Sequence, residues 1–306
     1  MTEISQTILD TYQVRKSKKQ KDKFITYLQS NFTDLKVESY KHSNSKNLIL
    51  GDPTDAKVLV SAHYDTCAQL PIPNFVTPLN PPLTIIYGLV LIIPIFLIVF
   101  ALNFLLSPFI SSFALKYWIS FALIYYITIL GPANPHTVND NTSGVIALCE
   151  LYQRLTEEER KSVCIIFFDN EEKGLLGSSA YKKKYKKEIK KQLLINLDCI
   201  SDGDHLLLAM SKKTREIYQP IIETGFQDIQ GKKILLKNAE KVYYPSDQAG
   251  FPVSIAVAAL KYKKYIGYYM DRIHTKRDTV MDERNITSIC SSITKIIQNI
   301  KERADQ

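Results

Sequence analysis

Between Thr66 and Asn139 the chain carries one full charge, Lys116. That poverty is unusual in a sequence with 39 Lys and Arg residues and 31 Asp and Glu residues, and it marks the least soluble part of the chain. Cysteine pairing is missing too. The five cysteines, at 67, 149, 164, 199 and 290, are odd in number and have no close spacing, and Cys164 and Cys199 sit in apolar runs where a thiol acts as a small buried hydrophobe. Reduced thiols in a reducing compartment are expected. Residues 1–32 contain no apolar run of the signal-peptide kind, which speaks against a cleaved secretory leader. No nucleic-acid recognition motif accompanies the lysines at 16, 18, 19, 21 and 23, so they are expected on the solvated face of a helix and no nucleic-acid partner is expected. The apolar face of that helix is written by Phe24, Ile25, Tyr27 and Leu28.

At 306 residues and 45% hydrophobic, the chain has material for one large domain or two small ones. Its organising stretch is Val163–Phe168, six apolar residues ending in Asp169, Asn170, Glu171 and Glu172. Such a run fits a strand buried on both faces, and strands of this kind deliver polar side chains from their carboxyl ends. Adjacent glutamates point in different directions, so one can bind a metal while the other faces water on it. The same four residues also read as a plain acidic turn.

Other strands are expected at Leu35–Tyr40, Asn47–Leu50, Lys57–Ala62, Leu193–Cys199 and Ser254–Leu260, and helices at Val145–Leu155 and Asn285–Ile300. His63 and Asp65, two apart at a strand end, share one face, so one can bind a metal that the other steadies; alone, the pair is also a common coincidence. Asp140 lies before a helix start with Asn141, Thr142 and Ser143 as candidate caps, and reads as a turn residue or as a bridge between cations. Asp198 is costly in so apolar a run unless paired or bound to metal. His274 sits in a loop, and Tyr181–Lys191 carries seven lysines expected to face solvent or anionic lipid. Alternating strands and helices predict an α/β fold with a mixed, mostly parallel central sheet and its ligands at the strand ends.

Leu83–Leu106 is long enough to span a bilayer, and Phe109–Leu130, with Trp118, Tyr125 and Tyr126 as interfacial anchors, would return as the second arm of a hairpin about Ser107-Pro108. Two buried helices or an apolar lid is the other reading. The expected division is residues 1–79 and 132–306 as one catalytic domain, with the hairpin inserted at 80–131 and membrane lipid as its partner.

Taken together, His-Tyr-Asp-Thr at 63–66, Asn-Asp-Asn-Thr-Ser-Gly at 139–144, Asp-Asn-Glu-Glu-Lys-Gly-Leu-Leu-Gly-Ser at 169–178, Asn-Leu-Asp at 196–198 and Ile-His-Thr at 273–275 resemble the co-catalytic zinc aminopeptidases of peptidase family M28. The resemblance implies two Zn2+ ions, one held by His63 and Asp198, the other by Glu172 and His274, with Asp140 bridging. It also implies Glu171 as general base, Asp65 orienting His63, a hydroxide shared by the ions, and peptides as substrates. Related glutaminyl cyclases and noncatalytic receptors are the alternatives. The chain departs from the family in reading Ser246-Asp247-Gln248 where Ser-Asp-His is frequent, and in the apolar insertion. Because His63 precedes that insertion and the other four ligands follow it, the chain must cross the membrane an even number of times between them. The lysine distribution then puts termini and site in the cytoplasm, at the cell membrane.

Overall fold

The runs that are apolar throughout form the middle of one nine-stranded sheet, where helices cover both faces. The computed structural model describes residues 1–70, 73–126, 130–227 and 229–305. Its strands are β1 (Lys36–Tyr40), β2 (Ser45–Leu50), β3 (Val58–His63), β4 (Val163–Phe168), β5 (Leu193–Leu197), β6 (His205–Met210), β7 (Lys233–Asn238), β8 (Ser254–Lys263) and β9 (Gly267–Tyr269). The helices are α1 (Glu3–Thr11), α2 (Lys18–Asn31), α3 (Pro81–Leu106), α4 (Phe113–Tyr125), α5 (Ser143–Arg154), α6 (Glu157–Arg160), α7 (Leu176–Lys184), α8 (Lys212–Phe226) and α9 (Glu283–Asp305).

The strand order is β1-β2-β4-β3-β5-β8-β6-β7, and β9 pairs with β8. β4, β3, β5 and β8 are parallel neighbours, as are β6 and β7. The pairs β1–β2, β2–β4, β6–β8 and β8–β9 are antiparallel. The sheet is mixed, as expected, but parallel pairing is confined to its middle and to the β6–β7 edge and does not outnumber antiparallel pairing. Alternation along β4 sends Ile165 and Phe167 to one face, against α5 and α9, and Cys164, Ile166 and Phe168 to the other, against Tyr181 of α7.

β6, α8 and β7 lie where the sequence reading placed nothing. The signal was present: Leu206, Leu207 and Leu208 make a short apolar run, and Ser211 caps α8 by accepting from the Thr214 backbone N–H at 3.3 Å. A second correction concerns the basic face of α2. Lys21 is buried, not solvated, because its Nζ lies 2.5 Å from Asp169 Oδ1 and 2.8 Å from Asn170 Oδ1.

The insertion between β3 and α5 does form two helices. α3 has 26 residues, a mean hydropathy of 3.0 and only 6% of its apolar window buried, and it is the one described helix long and apolar enough to cross a membrane. α4 has 13 residues, about 20 Å of helix against a hydrocarbon core of about 30 Å. Residues 127–129 of the expected second span lie outside the described residues. Asn103 Nδ2, which also donates to Val99 O, reaches Ser120 Oγ at 3.4 Å between the two helices.

Candidate metal centre

β4, β3 and β5 are adjacent and parallel, so their carboxyl ends lie side by side. His63 closes β3, Glu171 and Glu172 follow β4, and Asp198 follows β5. Asp140 comes from the tight turn before α5, and His274 from the loop after β9. All five expected ligands meet. Asp140 stands between the two imidazoles, Oδ1 at 3.2 Å from His63 Nε2 and Oδ2 at 2.9 Å from His274 Nε2. Asp198 Oδ1 lies 3.6 Å from His63 Nε2, and Glu172 Oε2 lies 3.5 Å from His274 Nε2. Donor atoms of His63, Asp140 and Asp198 all fall within 4.8 Å of one another, and so do those of Cys67, Glu172 and His274.

This donor set suits zinc, which takes imidazole nitrogen and carboxylate oxygen. Glu172 Oε1 is buried and has no hydrogen-bond partner among the described residues, the condition of an atom built to meet a cation. Cys67 was not foreseen here. Burial pushes its thiol well above the ordinary value and keeps it neutral, whereas a ligand must be a thiolate.

Behind the donors, backbone amides are held by side chains. Asp65 stands beside His63, with its backbone oxygen 3.1 Å and its carboxylate Oδ1 3.8 Å from Nδ1, and the same carboxylate accepts the amides of Glu171 at 2.9 Å and Glu172 at 3.2 Å. Asp65 thus fixes the acidic turn more directly than the imidazole. Asp278 does the same for Asp140, accepting the amides of Asn139 at 2.8 Å and Asp140 at 3.0 Å. Asn139 accepts from the Ser201 and Asp202 amides, and Asn141 donates to Leu197 O, tying this turn to the end of β5. Asn141 also accepts from the Gly144 amide, while Thr142, the residue flanking α5, makes no side-chain cap bond. Left-handed backbone at Asn170, Cys199 and His274, none of them glycine, flanks the donors.

Two cations were missed by the sequence reading. Arg15 is fully buried, with Nε on Tyr64 O at 2.5 Å and an amino group on Thr142 Oγ1 at 3.1 Å. Burial lowers its pKa to about 10 against the raising fields of Asp65 and Asp140. Lys21 pins Asp169 and Asn170, the two residues before the paired glutamates. Neither shows in helical periodicity, which only says that a lysine or arginine usually faces water.

Burial raises the Asp140 carboxyl, but hydrogen bonds and charge from His274 and His63 outweigh it and leave the group below the usual carboxylate range. Burial lifts Glu172 to about 8 and Glu171 well above its ordinary value, partly opposed by the histidines. His274 is lowered by burial yet raised more by Glu172 and Asp140, reaching about 10. The pattern is that of a pocket with more carboxylates than cations. Gln248, at the position where histidine was noted as frequent, accepts from Asn196 Nδ2 at 2.9 Å and donates to Tyr244 O, so it braces the strand that carries Asp198.

The arms of the insertion grip the loop of His274. Leu70 N donates to His274 O at 2.9 Å, Asn74 to Ile273 O at 3.2 Å, and Asn134 to Thr275 O at 3.0 Å.

The family model for peptidase family M28 matches residues 125–295. Among curated proteins, none matches. Among solved structures, LapA aminopeptidase of Legionella pneumophila aligns at TM-score 0.57 and 13% identity over 96% of this chain and 68% of that one. LapB from Legionella pneumophila gives 0.53 and 13% over 97% and 70%. A glutaminyl cyclase of Macrostomum lignano gives 0.54 and 12% over 97% and 88%. At such identities the likeness concerns the fold.

Proposed function

Since this chain belongs to peptidase family M28, a family of zinc peptidases, we propose that it is a membrane-anchored aminopeptidase working with two zinc ions. The observation that carries this reading is the placing of Asp140, with one oxygen toward each of two histidines that have a further carboxylate apiece. His63 and Asp198 would hold one ion and Glu172 and His274 the other, with Asp140 shared. Bound zinc supplies Lewis acidity toward the scissile carbonyl and makes water acidic enough to attack near neutral pH.

The protein's own groups do the rest. Glu171, beside His63 and Glu172 in the same cluster, takes the proton of the attacking water and passes it to the leaving amine. Asp65 holds the backbone of Glu171 and Asp278 that of Asp140, so neither has to reorganise during the reaction. A glutaminyl cyclase has a similar fold and is the second reading. One zinc per chain, with cyclisation of N-terminal glutamine, would favour it; the shared position of Asp140 favours two. A receptor without catalysis has no need of Glu171.

In this reading, residues 1–79 and 132–306 form one catalytic domain and the helices between them enter the cell membrane, with the site on the cytoplasmic side. The length and exposure of α3 support entry into the membrane, and the orientation rests on the lysine distribution alone. The test is hydrolysis of a panel of aminoacyl fluorogenic substrates by detergent-purified protein, before chelation, after it, and after zinc is returned. Activity that survives exhaustive chelation refutes the metallopeptidase reading.

A further inference from the structure

The cleft over Glu172 and His274 is small, about 190 Å3, and its rim is formed by two lysines, Lys16 and Lys173. Lys16 comes from the segment between α1 and α2, and Lys173 from the turn after Glu172. Burial lowers the Lys16 ammonium, and Lys173 lowers it further. Both residues also line a neighbouring groove of about 230 Å3 that holds six lysines against two aspartates, Asp22 and Asp169. The positive potential at the mouth of the cleft therefore extends beyond the pair. The carboxylate of Asp65, in the same cleft, is already engaged with two backbone amides. The uncharged wall is made by Thr66, Cys67, Ala68 and Leu70, of which Ala68 and Leu70 are aliphatic.

Resting on the peptidase reading, we propose that Lys16 and Lys173 select substrates that bring a carboxylate to the rim of the metal centre, its aliphatic stem lying along Ala68 and Leu70. A volume below the roughly 300–1,000 Å3 of ordinary ligand pockets suits one amino-acid-sized group. Two ammonium groups at the rim disfavour a basic side chain and give a carboxylate the counter-charge that the acid-rich floor denies it. The carboxylate has two sources: the side chain of an N-terminal Glu or Asp, or the terminal carboxylate of a dipeptide.

Binding separates these sources without relying on turnover. Zinc-loaded Glu171→Gln protein is titrated calorimetrically with Glu-Gly-amide against Gln-Gly-amide, and with Leu-Gly against Leu-Gly-amide. In at least one pair the carboxylate member binds about tenfold tighter, the sum expected of two half-exposed charge pairs. The first pair identifies the side chain and the second the dipeptide terminus. The double variant K16Q/K173Q brings the members of that pair to within about twofold, and raising the salt narrows the gap in the parent. Equal affinities in both pairs, no binding of any probe, or an equal loss for carboxylate and amide in the double variant overturns the inference. Turnover of aminoacyl substrates by the unmutated protein without carboxylate preference sinks it and leaves the peptidase reading standing. Carboxylate-selective binding by a protein that hydrolyses nothing does the reverse.

Discussion

The metal centre and the apolar insertion invert the usual distribution of polarity in opposite senses. At the centre, His63, Asp140 and Asp198 are 1%, 3% and 6% exposed, and Asp65 and Asp278 are buried beside them. In the insertion, Phe96, Phe100 and Trp118 are 67%, 74% and 74% exposed, with Ile85, Leu89 and Ile93 beside them. Buried carboxylates are costly without a cation, and a contiguous apolar surface is costly in water. Each region leaves unmet a demand that its own residues do not satisfy, and under the function proposed above the two demands name different partners, divalent metal for one and lipid for the other.

If that contrast is right, the two regions can be broken separately. The largest effect is expected from Glu171→Gln, which removes the base and no ligand. Turnover should fall by about 10²- to 10⁴-fold while the zinc content, read by elemental analysis, stays the same. Loss of metal instead would show that Glu171 and Glu172 have exchanged roles. Next, Asp140→Ala should weaken both ions together by more than about 100-fold, since even partners of ligands are worth about 10- to 100-fold. Departure of only one ion would mean that Asp140 does not bridge.

The insertion offers the complementary test. Replacing residues 81–126 by a Gly/Ser linker should move the protein from the membrane fraction to the soluble one and leave its zinc in place, because the arms that grip the His274 loop are retained. Zinc loss in that variant would show that the two regions are one unit. In the intact chain, a cysteine at Ser107 should react with an impermeant reagent from outside cells, and one at Lys183 should not. The opposite labelling would reverse the orientation.

A separate effect concerns pH. Asp247 is fully buried, and burial raises its carboxyl from 3.8 to about 7, opposed by the charge of His63. The folded state therefore holds this proton more tightly than the unfolded one. The contribution is full below 3.8 and is lost as pH rises through about 7. In metal-free protein, urea unfolding should show stability falling by about 1.4 kcal/mol per pH unit from this group between those values. Asp247→Asn should remove that slope. An unchanged slope would place the buried titration elsewhere. The insertion has no counterpart, since Lys116 is its single charge.

Much of the sheet's middle was legible because strands buried on both faces need no periodicity, only apolar length: Val163–Phe168 was located to the residue, and β3, β5 and β8 within a few. The candidate site was legible because each expected ligand ends such a run or sits in a loop beside one. β6, α8 and β7 were passed over because their signals, three leucines and a serine cap, are weak beside Pro220 within the helix. Arg15 and Lys21 were misjudged for a different reason. A cation is buried only where carboxylates or carbonyls from elsewhere await it, and those lie up to 149 positions away, as Asp169 and Asn170 do for Lys21.

By itself, then, the sequence determined which stretches were apolar enough to be buried or to leave water, and which donors stood beside them. Those are local properties of a chain segment. The tertiary structure decided the partnerships: Asp198 with His63, Glu172 with His274, Asp140 between them, the Asp65 carboxylate on backbone amides and Lys21 turned inward. The physical reason is that hydrogen bonds and metal coordination act over about 2–3 Å. At that range the outcome depends on the parallel register of β4, β3 and β5, which sets how far each strand end projects.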